Sequence, residues 1–194
     1  MHELRPIERA LAGYRPRRQR LRHYTRRAAV ALVLRETRQG AEVLLVERAH
    51  RAGDPWSGDM AFPGGHVDAA DEASASRAAC RETAEEVGLR ITRAEGIGRL
   101  SDQLTLDHRR RAPMVVSPFV YRLDDRRTPT LNHEITAYRW LALAWLDEPE
   151  HRATLRWQLG RLSLPMPCYD CGNDRRLWGL TLRMLDELLA LARK

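Results

Sequence analysis

FPGGHVDAADEASASRAACRETAEEVGL, Phe62 to Leu89, is the stretch from which the rest of the chain can be read. Its last third, Arg81-Glu82-Thr83-Ala84-Glu85-Glu86-Val87-Gly88-Leu89, spaces Glu82, Glu85 and Glu86 at i, i+3 and i+4. A helix would therefore carry three carboxylates on one face within a turn, where like charges repel. A hard divalent cation reverses the sign of that interaction, because Mg²⁺ and Mn²⁺ take oxygen ligands and carboxylates bring both atoms and charge. A short acidic run is usually a solvated face, but this one is framed by two turns. Phe62-Pro63-Gly64-Gly65 precedes it with a backbone that can lie close to a ligand. Gly88 follows where a helix stops and turns into a strand. The spacing predicts a helix that starts near Asp71 or Ser74 and ends at Val87.

These residues resemble the signature of the Nudix hydrolases: a glycine, an acidic residue six positions on, then Arg-Glu-x-x-Glu-Glu-x-Gly-aliphatic. Gly65, Arg81, Glu82, Glu85, Glu86, Gly88 and Leu89 match it. Arg81 lies sixteen residues after Gly65, where the common pattern has fourteen, so the first acidic position is either Asp71 or Glu72. The resemblance covers most of residues 28–147 and implies an α/β/α sandwich on a mixed β-sheet. It implies a hydrolase of diphosphate linkages that uses Mg²⁺ or Mn²⁺, held by Glu82, Glu85, Glu86 and the carbonyl of Gly65. Such chemistry needs charge neutralised on phosphoryl oxygens, a polarised water and a leaving group in line, and a divalent cation serves all three. Arg81 reads as an orienting partner of the carboxylates, since a guanidinium makes two parallel hydrogen bonds where lysine cannot. Glu134, in HEITAYRWL, is the candidate general base or extra metal ligand from outside the motif; the alternative is an exposed polar residue before a strand. His133 beside it is of a residue type that serves as acid or base in catalysis, although a single loop histidine is more often surface.

Upstream, Leu44, Leu45, Arg48, Gly58, Phe62, Pro63, Gly64 and Gly65 resemble the coenzyme A diphosphatase branch of that family. On that resemblance Arg48, Phe62 and Gly64 are the candidate substrate-binding residues. Val46 stands where the branch has Thr, and Asp54 where it has a second Arg that would meet substrate phosphates. Val115–Val120 and Leu177–Thr181 also look like the branch, while the run from Asp54 to Gly65 also fits a sister group. The implied substrate is a nucleoside diphosphate derivative, coenzyme A or a CoA derivative, cleaved to 3′,5′-ADP and phosphopantetheine. ADP-ribose, NADH or a nucleoside triphosphate is the alternative, and a non-catalytic nucleotide- or RNA-binding module is a third reading.

The totals are those of a globular domain. The chain has 194 residues, 43% hydrophobic and 30% charged, enough for one domain with a sizeable core. No apolar run reaches membrane-span length, and Met1-His2-Glu3-Leu4-Arg5-Pro6 lacks the apolar core of a signal peptide, so a cytoplasmic protein without membrane partners is expected. Lys and Arg number 33 against 26 Asp and Glu, a formal charge of +7 that favours anionic partners. The excess is densest in RPRRQRLRHYTRR, Arg15 to Arg27. With only Tyr14 and Tyr24 to stack on bases, nucleic acid is the weaker expectation, and this stretch reads as an exposed arm or a homodimer contact. Three cysteines make no disulfide framework. Cys80 reads as a small core residue, and Cys168–Cys171 lacks the second pair that a zinc site needs, which leaves loop packing.

Two parts follow: residues 1–27, a short helix on Leu4, Ile7 and Leu11 plus the basic arm, and residues 28–194, the hydrolase domain with a C-terminal packing helix. Ala28–Leu34 and Glu42–Arg48 are predicted as a strand hairpin, with a loop over Arg51–Gly58 and a short strand at Met60–Phe62. After the motif, Leu89–Thr92, Ile97–Leu100 and Met114–Tyr121 read as strands, the last with Pro118 marking an edge or a bulge. A loop over Asp124–Pro129 precedes a final strand at Ile135–Leu141, and Trp145–Asp147 leads into a helix. From Asp174 onward Leu177, Trp178, Leu182, Leu185, Leu188 and Leu189 recur at helical spacing.

Overall fold

A computed structural model describes residues 3–50, 57–107, 112–124, 127–159, 162–172 and 175–193. The chain opens with helix α1 (Leu4–Gly13) and a 3-10 turn at Arg20–His23, then strands β1 (Arg26–Thr37), β2 (Gly40–Arg48), β3 (Met60–Ala61) and β4 (Gly64–His66). Helix α2 (Ala75–Val87) leads to β5 (Gly96–Arg99), β6 (Gln103–Asp107), β7 (Ala112–Leu123) and β8 (Ile135–Ala142). Helix α3 (Leu143–Asp147), strands β9 (Arg152–Leu159), β10 (Leu162–Asp170) and β11 (Arg176–Trp178), and helix α4 (Gly179–Ala192) complete it.

β1 organises the main sheet. Its far half forms the predicted hairpin with β2, with Leu34 opposite Val43, while its near half pairs antiparallel with β4, with Ala29 opposite Gly65. Its other edge runs parallel to β7 from Arg26–Met114 to Arg35–Leu123. Eight strands result, parallel and antiparallel together, the mixed sheet that was expected. Alternation divides the β1 side chains between two faces. Leu32 and Leu34 join α1 and α4 in one apolar cluster; Ala29, Ala31 and Val33 join Ala75, Ala78, Ala79 and Val87 of α2 in the other. The small alanines let α2 lie close to the sheet. None of the described helices is long and apolar enough to cross a membrane.

Several expectations are corrected. Leu89 and Ile91 are buried as predicted, yet Leu89–Thr92 is no strand: it plugs the α2-side core and enters a 3-10 turn capped by Thr92 and Glu95. Pro118 is not on an edge strand. β7 is central, and Pro118 lies where its outer partner changes from β6 to β5, accepting there from the Leu100 N–H at 3.1 Å. β8 is not the final strand, because β9, β10 and β11 form a second, antiparallel sheet. Leu177 and Trp178 belong to β11, and the last helix begins only at Gly179, whose φ of +62° breaks from the strand. β11 pairs with Cys168–Asp170 of β10, while Pro165 and Pro167 lie beyond it, opposite Arg156 and Thr154 of β9. Cys168 is therefore a buried strand residue rather than a loop one, and burial raises both its thiol and that of Cys171. Positions 51–56, including Asp54, and residues 125–126 of the second predicted loop lie outside the described residues.

The basic arm is not loose. Its backbone is strapped to the β5–β6 turn: Arg17 N–H donates to Ser101 Oγ (3.1 Å), Asp102 N–H to Arg17 O (2.9 Å) and Gln19 N–H to Asp102 Oδ2 (2.9 Å). Tyr14 reaches Ser101 Oγ and Glu187 of α4. Asp102 is buried, paired with Arg99 and accepting from Ser117 Oγ. Arg15, Arg17, Arg18 and Arg20 remain exposed on this fixed backbone.

Candidate active site

Two features position the carboxylates. Ser74 caps α2 by accepting from the Arg77 N–H at 3.4 Å, so of the two predicted starts the one near Ser74 is observed, and Gly88 (φ +67°) ends the helix. The glycines of β4 then bring backbone against the helix. A Cβ on Gly65 would be driven into the Glu82 carboxylate, and one on Gly64 (φ +156°) into the Ala29 carbonyl. Only glycine permits this approach.

Glu86 is 6% exposed, and its Oε2 accepts from the Gly64 N–H at 2.9 Å. Burial pushes its carboxyl up to about 7; the Gly64 bond and the charge of Arg48 oppose the rise, and the charges of Glu82 and Glu134 add to it. Glu82 is also raised, first by burial and then by Glu85 and Glu134, against the pull of Arg81. Glu82, Glu86 and Glu134 thus gather negative charge at the Gly64–Gly65 turn. Glu85 is the exposed member of the predicted set: it shares Arg81 Nη1 with Glu82 (3.1 and 3.0 Å), and its charge still raises Glu82. Glu82 and Glu86 are the two that burial desolvates.

Arg81 occupies the orienting place expected of it. It holds Asp71 through Nε (3.1 Å) and Nη2 (3.0 Å), donates to the His66 carbonyl (3.0 Å), and contacts Glu82 (3.0 Å) and Glu85. Its own proton is held more tightly, chiefly by the Asp71 bond. Asp71 is 1% exposed; burial alone would raise its carboxyl, but the Arg81 and Asp68 hydrogen bonds outweigh that and lower it. Of the two candidates for the first acidic position, Asp71 is joined to the motif arginine. Glu72 is exposed and paired with Arg77. Glu72 and Ala73, with φ of +50° and +59°, take up the two residues by which this segment exceeds the common spacing.

Glu134 is delivered by the segment that closes α2. Thr130 and Asn132 donate to the last helical carbonyls at Val87 (2.9 Å) and Glu86 (3.0 Å), Asn132 Oδ1 accepts from the Glu134 N–H (2.8 Å), and the Glu134 carbonyl accepts from Ala49 (2.8 Å). Neither Thr130 nor Asn132 was singled out in the sequence, because a carbonyl-capping loop carries no side-chain signature of its own. His133 is exposed. Arg48, at the end of β2, lies within electrostatic reach of Glu86. Two of the substrate-binding expectations change. Phe62 is 4% exposed inside the core cluster and supports the turn from beneath, so it offers no face to a ligand. The Gly64 N–H is spent on Glu86.

The donor set bears on whether a divalent cation belongs here. Among the described residues no three His, Cys, Asp or Glu side chains stand in a ready-made ligating group. Yet burial raises both Glu82 and Glu86 despite the opposing charges of Arg81 and Arg48, with Glu134 in electrostatic range of both, and desolvated hard oxygen donors of that kind fit Mg²⁺ or Mn²⁺.

A helix of paired carboxylates packed on a mixed sheet, with the glycines of a short strand against them, is the architecture of a hydrolase site. The chain belongs to the NUDIX family, whose domain model matches residues 25–158, and is a Nudix hydrolase. It is 30% identical over 175 residues to the mitochondrial coenzyme A diphosphatase NUDT8 of Homo sapiens, covering 89% of this chain and 72% of that one. It is 38% identical over 112 residues to an uncharacterized protein of Schizosaccharomyces pombe, covering 56% of this chain but only 34% of the yeast protein's length. A MutT/nudix family protein from Enterococcus faecalis shares the fold at a TM-score of 0.56 and 18% identity, over 85% of this chain and 60% of that one.

Proposed function

We propose that this chain hydrolyses, with a divalent cation, the diphosphate linkage of coenzyme A or a CoA derivative, giving 3′,5′-ADP and phosphopantetheine. The observation that carries the reading is the desolvated Glu82–Glu86 pair against the Gly64–Gly65 turn. Likeness to a human enzyme named for coenzyme A supports the choice of substrate. When bound, Mg²⁺ or Mn²⁺ supplies charge neutralisation on phosphoryl oxygens and acidifies a water. Glu82 and Glu86 would hold it. Arg81 fixes the orientation of Glu82 by tying it to buried Asp71 and the His66 carbonyl. Arg48 places positive charge beside the carboxylates, where an incoming diphosphate needs it. Glu134, whose charge reaches both Glu82 and Glu86, is the candidate to accept a proton from water.

The test is a substrate panel with purified protein and Mg²⁺ or Mn²⁺: coenzyme A, an acyl-CoA, ADP-ribose, NADH and nucleoside triphosphates. Release of 3′,5′-ADP from the CoA members at the highest kcat/KM is the expected result. Faster turnover of ADP-ribose, NADH or a triphosphate moves the substrate within the family, and no product from any member overturns the reading.

A further inference from the structure

The basic arm runs directly into β1, and its last three residues help form a notch that the catalytic reading leaves unused. Thr25, Arg26, Arg27, Val67, Asp68, Ala69 and Ala73 line a cavity of about 380 Å³. The Thr25 hydroxyl is buried with no hydrogen-bond partner among the described residues, an arrangement that costs stability unless a ligand completes it. Arg27 is anchored through Nη1 to the Ala73 carbonyl at 2.9 Å, which fixes its guanidinium at the notch and leaves further donors. Asp68 brings the one acidic side chain, and it is engaged elsewhere: Oδ1 accepts from Ala70 N–H (2.8 Å) and Oδ2 faces Arg81 (3.5 Å). The anchored Arg27 guanidinium and the unpartnered Thr25 hydroxyl make this an anion site.

Its place in the fold says which anion. Ala29 pairs with Gly65, against which the Glu82 carboxylate lies, and Arg27 stands two residues before Ala29 on the same face of β1. At the rise of an extended strand that is a separation of about 7 Å. A second phosphate on the nucleoside half of the same substrate falls within that span. We infer that the Thr25–Arg26–Arg27 notch binds a phosphomonoester carried on the substrate's ribose, beside the diphosphate that is cleaved. The inference deepens the proposed function and rests on it.

Matched ligands with and without that phosphate separate the two. Coenzyme A and 3′-dephospho-coenzyme A are compared as substrates; 3′,5′-ADP, AMP and inorganic phosphate are compared by calorimetry, in the intact chain and in Arg27→Ala, Arg27→Lys and Thr25→Val. The wild type should favour each 3′-phosphorylated member by about ten- to a hundredfold, the worth of one charge-assisted hydrogen bond. Arg27→Ala should bring the ratio near one, Thr25→Val and Arg27→Lys should lower it partway, and the loss should fall on the phosphorylated members. Equal wild-type affinity for 3′,5′-ADP and AMP, or variants that weaken both alike, would overturn the notch. Inorganic phosphate binding as tightly as 3′,5′-ADP would overturn its assignment to the substrate's ribose. If neither substrate turns over while 3′,5′-ADP still outbinds AMP, the catalytic reading fails and the notch stands.

Discussion

At the residue scale, Glu86 makes the sharpest prediction. Its carboxyl titrates at about 7 when folded and near 4.5 in a free chain, so the native state holds the extra proton between those values. The residue therefore costs no stability below about pH 4.5, costs progressively more as pH rises, and costs the full amount above about pH 7. Glu86→Gln should stabilise the metal-free protein by about 1–3 kcal/mol near pH 8 and leave it unchanged near pH 4.5, as read by thermal unfolding in chelator. The same substitution, and Glu82→Gln, should lower turnover by at least about a hundredfold. A Glu86→Gln protein that is less stable near pH 8 would make that carboxylate structural. Arg81 differs in kind, because Asp71 beneath it is buried and leans on it. Arg81→Ala should cost about 3–5 kcal/mol, the penalty for stranding a buried charge, in a urea titration. Arg81→Lys should recover part of it, since the charge stays and the fork is lost.

At the scale of elements, the strap at Ser101–Asp102 governs the arm. Asp102→Ala removes the partner of Arg99, Ser117 and the Gln19 N–H together, and should cost about 2–4 kcal/mol. It should also open the arm to trypsin: cleavage after Arg17, Arg18 or Arg20, followed by mass spectrometry, should become several-fold faster than in wild type. Unchanged cleavage would mean that the strap does not hold the arm. Much of this level was legible in advance. The apolar runs of β1 and β2 and the Ser74 and Gly88 signals of α2 are local patterns, and the structure keeps them. The charge run of Arg15–Arg27 read as exposed because its side chains are; the hydrogen bonds that fix its backbone come from residues more than eighty positions away. β9–β11 escaped notice because Pro165 and Pro167 interrupt what would otherwise read as a strand. Leu89–Ile91 misled in the opposite direction, since burial of alternate residues needs no sheet partner. The site was legible as a helix face, and the Arg81–Glu85 contact is the i,i+4 pair that the same spacing encodes, whereas the burial that separates Glu82 and Glu86 from Glu85 is a three-dimensional outcome.

For the whole molecule, the net charge is +7, and the exposed arginines of the arm stand in the segment that runs into β1. Such a field should draw anionic substrates in and fade with salt. Raising ionic strength from about 20 mM to about 200 mM should lower kcat/KM several-fold and leave kcat nearly constant, and Arg17→Ala with Arg18→Ala should flatten that slope. The prolines of β10 have a consequence at this scale as well. Past β11, no strand among the described residues pairs with the outer margin of β10, and a bare strand margin invites a neighbouring molecule to add its own. Pro165 and Pro167 offer no N–H there, so the ladder a visiting strand would build is missing its rungs. Replacing both with threonine should make the protein stick to itself more than the wild type does, visible as a steeper rise of light scatter on concentration.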